Sequence, residues 1–306
     1  MIIPKQPTHE INHIVLSGGG IKGFIFFGIL MQSCLDGFWD LKNIKSFYTT
    51  SSGSIFALFI ILGFEWKIIE NYLINLPLGK NFNFDLMSIF NSYENCGIFE
   101  KNVIYEIFLS LFKANDISLD ITLLEFYEIN KIDFHIFLTE MDEFNQVDVS
   151  HKTHPNWKLL DAVYCSSCLP ILFKPFLCPF DNKTYIDGGF FCNYPIRECY
   201  EAVKDNYPIN SIFGINLVIE NSNEKSNLFE YVSTLIKKMI IKNNVLDSIE
   251  FPNEMLVTDF NEETMVLNPI YNIYLATQDN KEKINIINKG KELWKKWYLI
   301  KKSQMI

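Results

Sequence analysis

Three short stretches of this 306-residue chain combine residue types and spacings that could do chemistry. The first is Gly18-Gly19-Gly20-Ile-Lys22-Gly23, which fits the spacing G-x-G-x-x-G. A loop of this kind between a strand and a helix presents backbone N–H groups, at the positive end of a helix dipole, to negative charge. Taken alone it does not choose between a dinucleotide, a phosphate and an oxyanion, and a plain glycine turn has the same pattern. A dinucleotide site also wants an acidic residue at the end of the second strand. Here that strand runs into Tyr48-Thr-Thr-Ser-Ser, without a carboxylate. The second stretch is Thr49-Thr50-Ser51-Ser52-Gly53, a strand-to-helix turn with Ser51 at its apex. A nucleophile elbow needs small residues two positions either side of the serine; Gly53 meets that need and Thr49 does not. Centring the motif on Ser52 loses the glycine, so Ser51 is the better candidate, although a helix-capping serine without chemistry reads equally well from this motif alone. The third is Asp187-Gly188-Gly189, by itself an ordinary turn signal.

A serine nucleophile needs a base. The α/β-hydrolase order places a histidine late, after the acid. The five histidines, at 9, 13, 135, 151 and 154, all precede Asp187. If Ser51 is activated, its base is therefore not a late histidine.

The elements that must position these residues repeat one pattern. His13–Leu16 reads as a strand entering the glycine loop, and Phe24–Leu35 as a helix apolar nearly all round. Ile44–Tyr48 and Ile55–Phe64 repeat the pair around Ser51. Helices buried on most of their circumference need cover on more than one side, as in a layered α/β domain around a largely parallel sheet. Residues 65–130, with amphipathic stretches at Trp66–Leu73 and Lys101–Phe112, read as a helical insertion or cap. Phe134–Thr139, Gln146–Val149, Lys183–Ile186 and Ile212–Val218 read as strands; Trp157–Cys165, Phe229–Ile241 and Lys281–Tyr298 read as helices. No linker or repeat interrupts the chain, which predicts one domain over 10–300.

Together, in this order and spacing, Ser17-Gly-Gly-Gly-Ile-Lys-Gly23, Thr-Thr-Ser51-Ser-Gly and Tyr-Ile-Asp187-Gly-Gly resemble the patatin-like phospholipases. Leu138-Thr-Glu-Met-Asp142 resembles the strand before the family's long loop. Asp161-Ala-Val-Tyr-Cys-Ser-Ser-Cys-Leu-Pro170 is similar to its D-A-x-x-A-S-x-x-x-P segment. The resemblance covers about residues 12–200. It implies a three-layer αβα sandwich with a mostly parallel central sheet and a Ser–Asp dyad without histidine. Carried over, Ser51 is the nucleophile and Asp187 the base. Gly18, Gly19 and Gly20 form the oxyanion hole with help from the charge of Lys22, and Gly53, Gly188 and Gly189 support the elbow and the dyad. The substrate implied is a phospholipid or another acyl lipid, and no metal or cofactor is required. An aspartate is a weak base unless desolvated, so Asp187 is expected in an apolar pocket supplied by Ile186, Phe190 and Phe191. Three positions depart from the family: Ser17 for aspartate, Lys22 for arginine and Thr49 for glycine. The last adds a β-branched side chain under the elbow, which would loosen the turn, slow the chemistry or mark a silent lipid-binding relative.

Composition bounds the partners. At 48% hydrophobic and 21% charged, the chain can bury a sizeable core, and a net charge of −9 argues against general nucleic-acid binding. All but one of its basic residues are lysine, the exception being Arg197. The abundance of Lys, Ile, Asn and Phe suggests a coding sequence poor in G and C, as in a large DNA virus or a protist. Seven scattered cysteines suit a reducing compartment, with Cys165 and Cys168 as buried thiols. No signal peptide is indicated, and no apolar run approaches the roughly 20 residues of a membrane span; a soluble or peripheral protein is expected. His135 reads as a strand histidine with a local partner, and His151 and His154 as non-ligands. The acids Asp247, Glu250, Glu254, Asp259, Glu262 and Glu263 read as a solvated face. Residues 76–115, with Phe82, Phe84, Met87, Phe90 and Phe99, read as an apolar lid. The last 26 residues carry eight lysines and two glutamates, a local charge of +6, interleaved with Trp294, Trp297 and Tyr298. That pattern suits either a solvated terminal helix or an anchor on anionic headgroups.

Overall fold

The computed structural model describes residues 10–76, 96–218, 228–243, 249–258 and 280–304. β1 (His13–Leu16) turns through a 3₁₀ segment (Gly20–Gly23) into α1 (Phe24–Leu35), and β2 (Ser46–Thr50) runs into α2 (Ser52–Ile61). α3 (Trp66–Asn75), β3 (Gly97–Phe99), α4 (Asn102–Ala114) and α5 (Leu123–Asn130) lead to β4 (Asp133–Glu140) and β5 (Asn145–Val149). Then come α6 (Leu159–Ser166), β6 (Ile171–Phe173), β7 (Phe176–Leu177), β8 (Thr184–Asp187) and the short α7 (Gly189–Cys192). α8 (Ile196–Val203), β9 (Ile212–Leu217), α9 (Leu228–Asn243), β10 (Glu254–Val257) and α10 (Asn280–Gln304) complete the order.

The main sheet runs β10-β9-β1-β2-β4-β8-β7, parallel from β10 through β4 and antiparallel beyond, with β5 antiparallel to β4. Side chains alternate across it. Ile14, Leu16, Phe47, Ile136 and Leu138 join the large core, which also takes side chains of α1, α2, α4 and α6. Val15, Tyr48 and Phe137 join a second cluster with Ile196, Cys199 and Val203 of α8. Covered on both faces, β1, β2 and β9 are buried at every position. This is the expected three-layer αβα sandwich. β2 starts two residues later than its apolar run suggests, because Leu41–Asn43 first makes a 3₁₀ turn capped by Asp40. The strand then carries Thr49 and Thr50 to its end, and α2 begins at Ser52, three residues earlier than expected.

The segment over 65–130 departs from the expected cap. α4 buries Ile104, Ile107, Phe108, Leu111 and Phe112 in the main core, with the Phe108 ring 4.7 Å from that of Phe59. The segment also contains β3, which pairs in parallel with β6. Phe99, expected on an exposed lid, is buried there against Phe173. Phe82, Phe84, Met87 and Phe90 lie outside the described residues.

The C-terminal helix corrects the membrane-anchor expectation. Trp294 is fully buried, its indole donating to Asp36 at 2.8 Å; Trp297 donates to the Glu254 carbonyl, and both rings and Tyr298 pack around Phe38. Lys283 is also wholly buried and donates to the carbonyls of Ile74 and Leu76, where α3 ends and a cation is favoured. α10 packs along α1 at a glycine contact. A Cβ on Gly28 would stand 2.1 Å from the Ile287 carbonyl oxygen, and one on Gly290 2.5 Å from that of Ile25. A side chain at either position must push the helices apart. Gly290→Leu is expected to destabilise the fold by about 2 kcal/mol, the usual scale of overpacking, measured by denaturant unfolding; an unchanged midpoint would refute the contact.

At the far end of β4, His135 sits between Asp148 at 2.8 Å and Asp133 at 3.3 Å and stacks on Tyr48. Burial alone would lower its pKa, but hydrogen bonds to the two carboxylates raise it to about 9. His151, for which the sequence suggests no acidic neighbour, lies 3.0 Å from Asp133 and stacks on Tyr127. Of the acids read as solvated, Glu254 is instead half-buried, and burial raises its pKa. Asp247, Asp259, Glu262 and Glu263 are outside the described residues.

Candidate active site

Register on β4 explains how two residues 136 positions apart meet. β5 occupies one edge of β4 over Ile136–Glu140, so β2 and β8 must share the other edge. β2 comes up to Phe137, opposite Thr50, and β8 comes down to Leu138, opposite Asp187. The strands meet end to end on consecutive residues. Ser51, just past the end of β2, donates its Oγ hydrogen to Asp187 Oδ2 at 2.7 Å.

Ser51 has φ 53° and ψ −128°, a conformation that L residues rarely adopt and that costs on the order of 1–3 kcal/mol. Its surroundings hold it there. The Ser51 N–H donates to Ser166 Oγ at 2.8 Å, and Ser166 Oγ donates to the Phe137 carbonyl at 2.7 Å. Gly53 brings the first turn of α2 against the end of β1, where a Cβ would stand 2.7 Å from the carbonyl oxygens of Leu16 and Ser17. Thr49 is accommodated: fully buried, its hydroxyl lies 2.9 Å from Ser54 Oγ and 3.1 Å from the His135 carbonyl oxygen. The extra side chain ties the turn down, contrary to the expected loosening.

Asp187 is 4% exposed. Burial pushes its pKa up to about 6, against the opposing hydrogen bonds from Ser51 and from the Gly189 N–H at 2.8 Å. Alternation on β8 turns Ile186 to the other face of the sheet. Phe191 is half-buried and packs edge-on to Phe144, while Phe190 is buried. The apolar neighbour beside the aspartate's glycine turn comes instead from α9, whose Ile240 Cδ1 stands 3.7 Å from the place of a Cβ on Gly189. Gly188 lies against the Phe137 carbonyl, with a Cβ there only 2.1 Å from the oxygen.

The glycine loop passes over the serine. A Cβ on Gly18 would be 3.2 Å from Ser51 Cβ, and 2.5 Å from Asn193 Oδ1. The Gly18 N–H donates to the Asn193 carbonyl at 2.9 Å, so it is already engaged and is not open to an oxyanion. The N–H groups of Gly19 and Gly20 open the 3₁₀ turn and donate to no group among the described residues. Gly20 has φ +56°, which favours glycine. Ser17 anchors the loop: its Oγ accepts from the Leu217 N–H at 2.9 Å and donates to the Gly18 carbonyl at 3.0 Å. Lys22 lies within the 3₁₀ turn, half-buried. Two helix N-termini, those of α1 and α2, thus border the Ser51 hydroxyl and favour negative charge there. Sequence reasoning missed Ser166 and Asn193. Ser166 is the serine of the D-A-x-x-A-S segment, so its presence was visible, but not its tie to Ser51.

Such an arrangement defines a class: a layered α/β protein whose strained strand-to-helix elbow presents a serine directly to a buried carboxylate. The chain belongs to the patatin-like phospholipase family, whose sequence model matches residues 14–200. It is 26% identical, over 95% of its own length and 89% of the relative's, to a protein of Invertebrate iridescent virus 6 named "Probable lipid hydrolase 463L". It is 23% identical to an uncharacterized protein of Acanthamoeba polyphaga mimivirus, over 76% of this chain and 77% of that one. Both relatives come from large DNA viruses, in keeping with the source suggested by composition. Among solved structures it is similar to VipD from Legionella pneumophila, with a TM-score of 0.46 and 14% identity over 93% of this chain and 67% of that one. ExoU from Pseudomonas aeruginosa, crystallised with SpcU, gives a TM-score of 0.44 and 13% identity over 91% of this chain; the chain spans about half of ExoU's length, 53%. No helix among the described residues is long and apolar enough to cross a membrane.

Proposed function

We propose that this protein is a lipid acyl hydrolase that cleaves carboxyl esters of phospholipids through an acyl-enzyme on Ser51, with Asp187 as the base. The observation that carries the reading is the direct hydrogen bond from a strained elbow serine to a buried aspartate. Family membership and the name of the iridescent-virus relative support a lipid ester as substrate.

In the first step Asp187 takes the Ser51 proton as Oγ bonds to the ester carbonyl carbon. The carbonyl oxygen becomes an oxyanion, held by the N–H groups of Gly19 and Gly20 and by the positive ends of α1 and α2. The intermediate collapses, the C–O bond to the lysophospholipid breaks, and Asp187 returns its proton to the leaving oxygen. Water then loses a proton to Asp187 and attacks the acyl-serine; collapse releases the fatty acid and restores the Ser51 hydroxyl. A base pKa near 6 suits this duty, since the carboxylate is ionised at neutral pH yet basic enough to accept a proton.

Fatty-acid release from phospholipid vesicles, beside a triacylglycerol emulsion and a dispersed short-chain ester, tests the reading. Fatty acid and lysophospholipid in equal amounts are expected from the vesicles, with or without chelator, because the scheme uses no metal. Turnover of triacylglycerol alone would move the substrate class, and no release from any ester would defeat the proposal. Ser166 acts here as a positioning residue. Ser166→Ala leaves the Ser51 N–H without its acceptor and is expected to lower kcat about 10- to 100-fold, the scale of a small misplacement, with KM little changed. An equal loss in KM, or none in kcat, would count against it.

A further inference from the structure

α9 presents an outer face unlike that of a solvated helix. Tyr231, Leu235 and Met239 recur every four residues and are 50%, 48% and 37% exposed, while Thr234 and Ile240 on the inner side are buried. Lys238 and Lys242 are exposed and, at 100° per residue, fall on the same outer arc as the three apolar side chains. A helix facing water carries its polar residues outward; this one carries tyrosine, leucine and methionine outward, interleaved only with lysine. Over its length α9 has three lysines against one glutamate, within a chain of net charge −9.

The position of the helix matters as much as its composition. Ile240 reaches the glycine turn beside Asp187, and α9 packs on α7, the segment directly after the aspartate. Phe191 of α7 in turn packs on Phe144, which is exposed on the turn beyond β4, at the end of the sheet that carries Ser51. The aromatic residues of α10 are committed to the core; its last turns expose Leu299 and Ile300 among lysines, but it is α9 that packs beside the Asp187 turn.

We infer that the outer face of α9 is the surface by which this protein docks on an anionic phospholipid bilayer, bringing the Ser51 elbow to the lipid. Leu235 and Met239 enter the headgroup–acyl boundary, and the Lys238 and Lys242 stems lie along it with their ammonium groups at lipid phosphates. The choice of partner rests on the lipid-ester reading above. Charge complementarity selects an anionic surface over a neutral one, since each lysine near such a surface contributes about 1 kcal/mol.

The test uses full-length protein carrying Ser51→Ala, so that binding is read without turnover, in flotation with phosphatidylcholine vesicles with and without phosphatidylglycerol. Binding to the anionic vesicles that weakens with added salt is expected. Lys238→Gln with Lys242→Gln should bind about 30-fold more weakly, and Leu235→Glu with Met239→Glu should not float. Active versions of both double variants should hydrolyse a dispersed short-chain ester at the unaltered rate, which shows the fold and the chemistry intact. Flotation equal to the parent in both variants would overturn the proposal. So would concentration-dependent self-association abolished by Leu235→Glu with Met239→Glu, which would make the stripe an interface between copies. Absent ester turnover with α9-dependent flotation would defeat the enzymatic reading and leave the docking surface standing.

Discussion

Ser51→Ala protein is expected to release fatty acid from phospholipid vesicles on the order of 10⁴-fold or more slowly than the parent, the scale on which removing a serine nucleophile acts. The substitution removes the nucleophilic oxygen that forms the acyl-enzyme, and leaves the Gly19 and Gly20 donors in place, so a small residual rate is all they can support. The strained backbone at 51 is held by Ser166 and by the packing of Gly53, neither of which needs the Ser51 hydroxyl. The variant should therefore fold, and its melting temperature is the control. Mass spectrometry of the parent with a slowly hydrolysed ester should find one acyl group on the peptide carrying residue 51. Turnover by Ser51→Ala within tenfold of the parent, or an acyl group elsewhere, would remove Ser51 from the mechanism.

Asp187→Asn is expected to lower kcat/KM by about 10²–10⁴-fold, the usual contribution of general-base catalysis. The amide can still accept a hydrogen bond from Ser51, but it cannot take the proton. In the parent, with the Asp187 pKa at about 6, kcat/KM should fall tenfold per pH unit below that value and level off above about pH 7. Stability should move the opposite way. The folded pKa lies above the ordinary 3.8, so the native state favours the protonated carboxyl. Its contribution is complete below pH 3.8 and is lost as pH rises through 6. At pH 7 the parent holds a buried charge that the amide does not have. Asp187→Asn should therefore melt at a higher temperature than the parent at pH 7, with the gain gone by pH 4. A lower melting temperature at pH 7, or an acid limb near 4, would mean that the carboxylate is not desolvated.

The layered fold was legible in the sequence because it rests on local pattern, whereas the pairing of Ser51 with Asp187 was implied only by the resemblance of three motifs to the patatin-like phospholipases. Apolar runs mark the strands, all-round apolar helices demand cover on two sides, and glycine spacing marks the turns. What stayed hidden depended on partners distant in the chain. Lysines interleaved with Trp294, Trp297 and Tyr298 read the same whether the aromatic side meets a bilayer or α1, and the glycine contact at 28 and 290 decides it. The Gly18 N–H looks available until Asn193 is folded beneath it. Thr49 looks like a defect in the elbow, and the neighbours that satisfy its hydroxyl, Ser54 and the His135 carbonyl, are assigned only by folding. His151 acquires Asp133 in the same way, across strands.

The end-to-end meeting of β2 and β8 along one edge of β4 makes the backbone a ruler for the reaction. The serine-to-aspartate separation is set by hydrogen-bonded main-chain units on Phe137 and Leu138, so it is independent of which side chains fill the layers above and below. Divergence can then replace packing residues without altering the separation of Ser51 and Asp187. The connections between Ser51 and Asp187 are equally free to lengthen or shorten. One inserted residue within β4 between the two pairings would part the couple by a full strand step, about 3.3 Å, and no surface substitution could restore it.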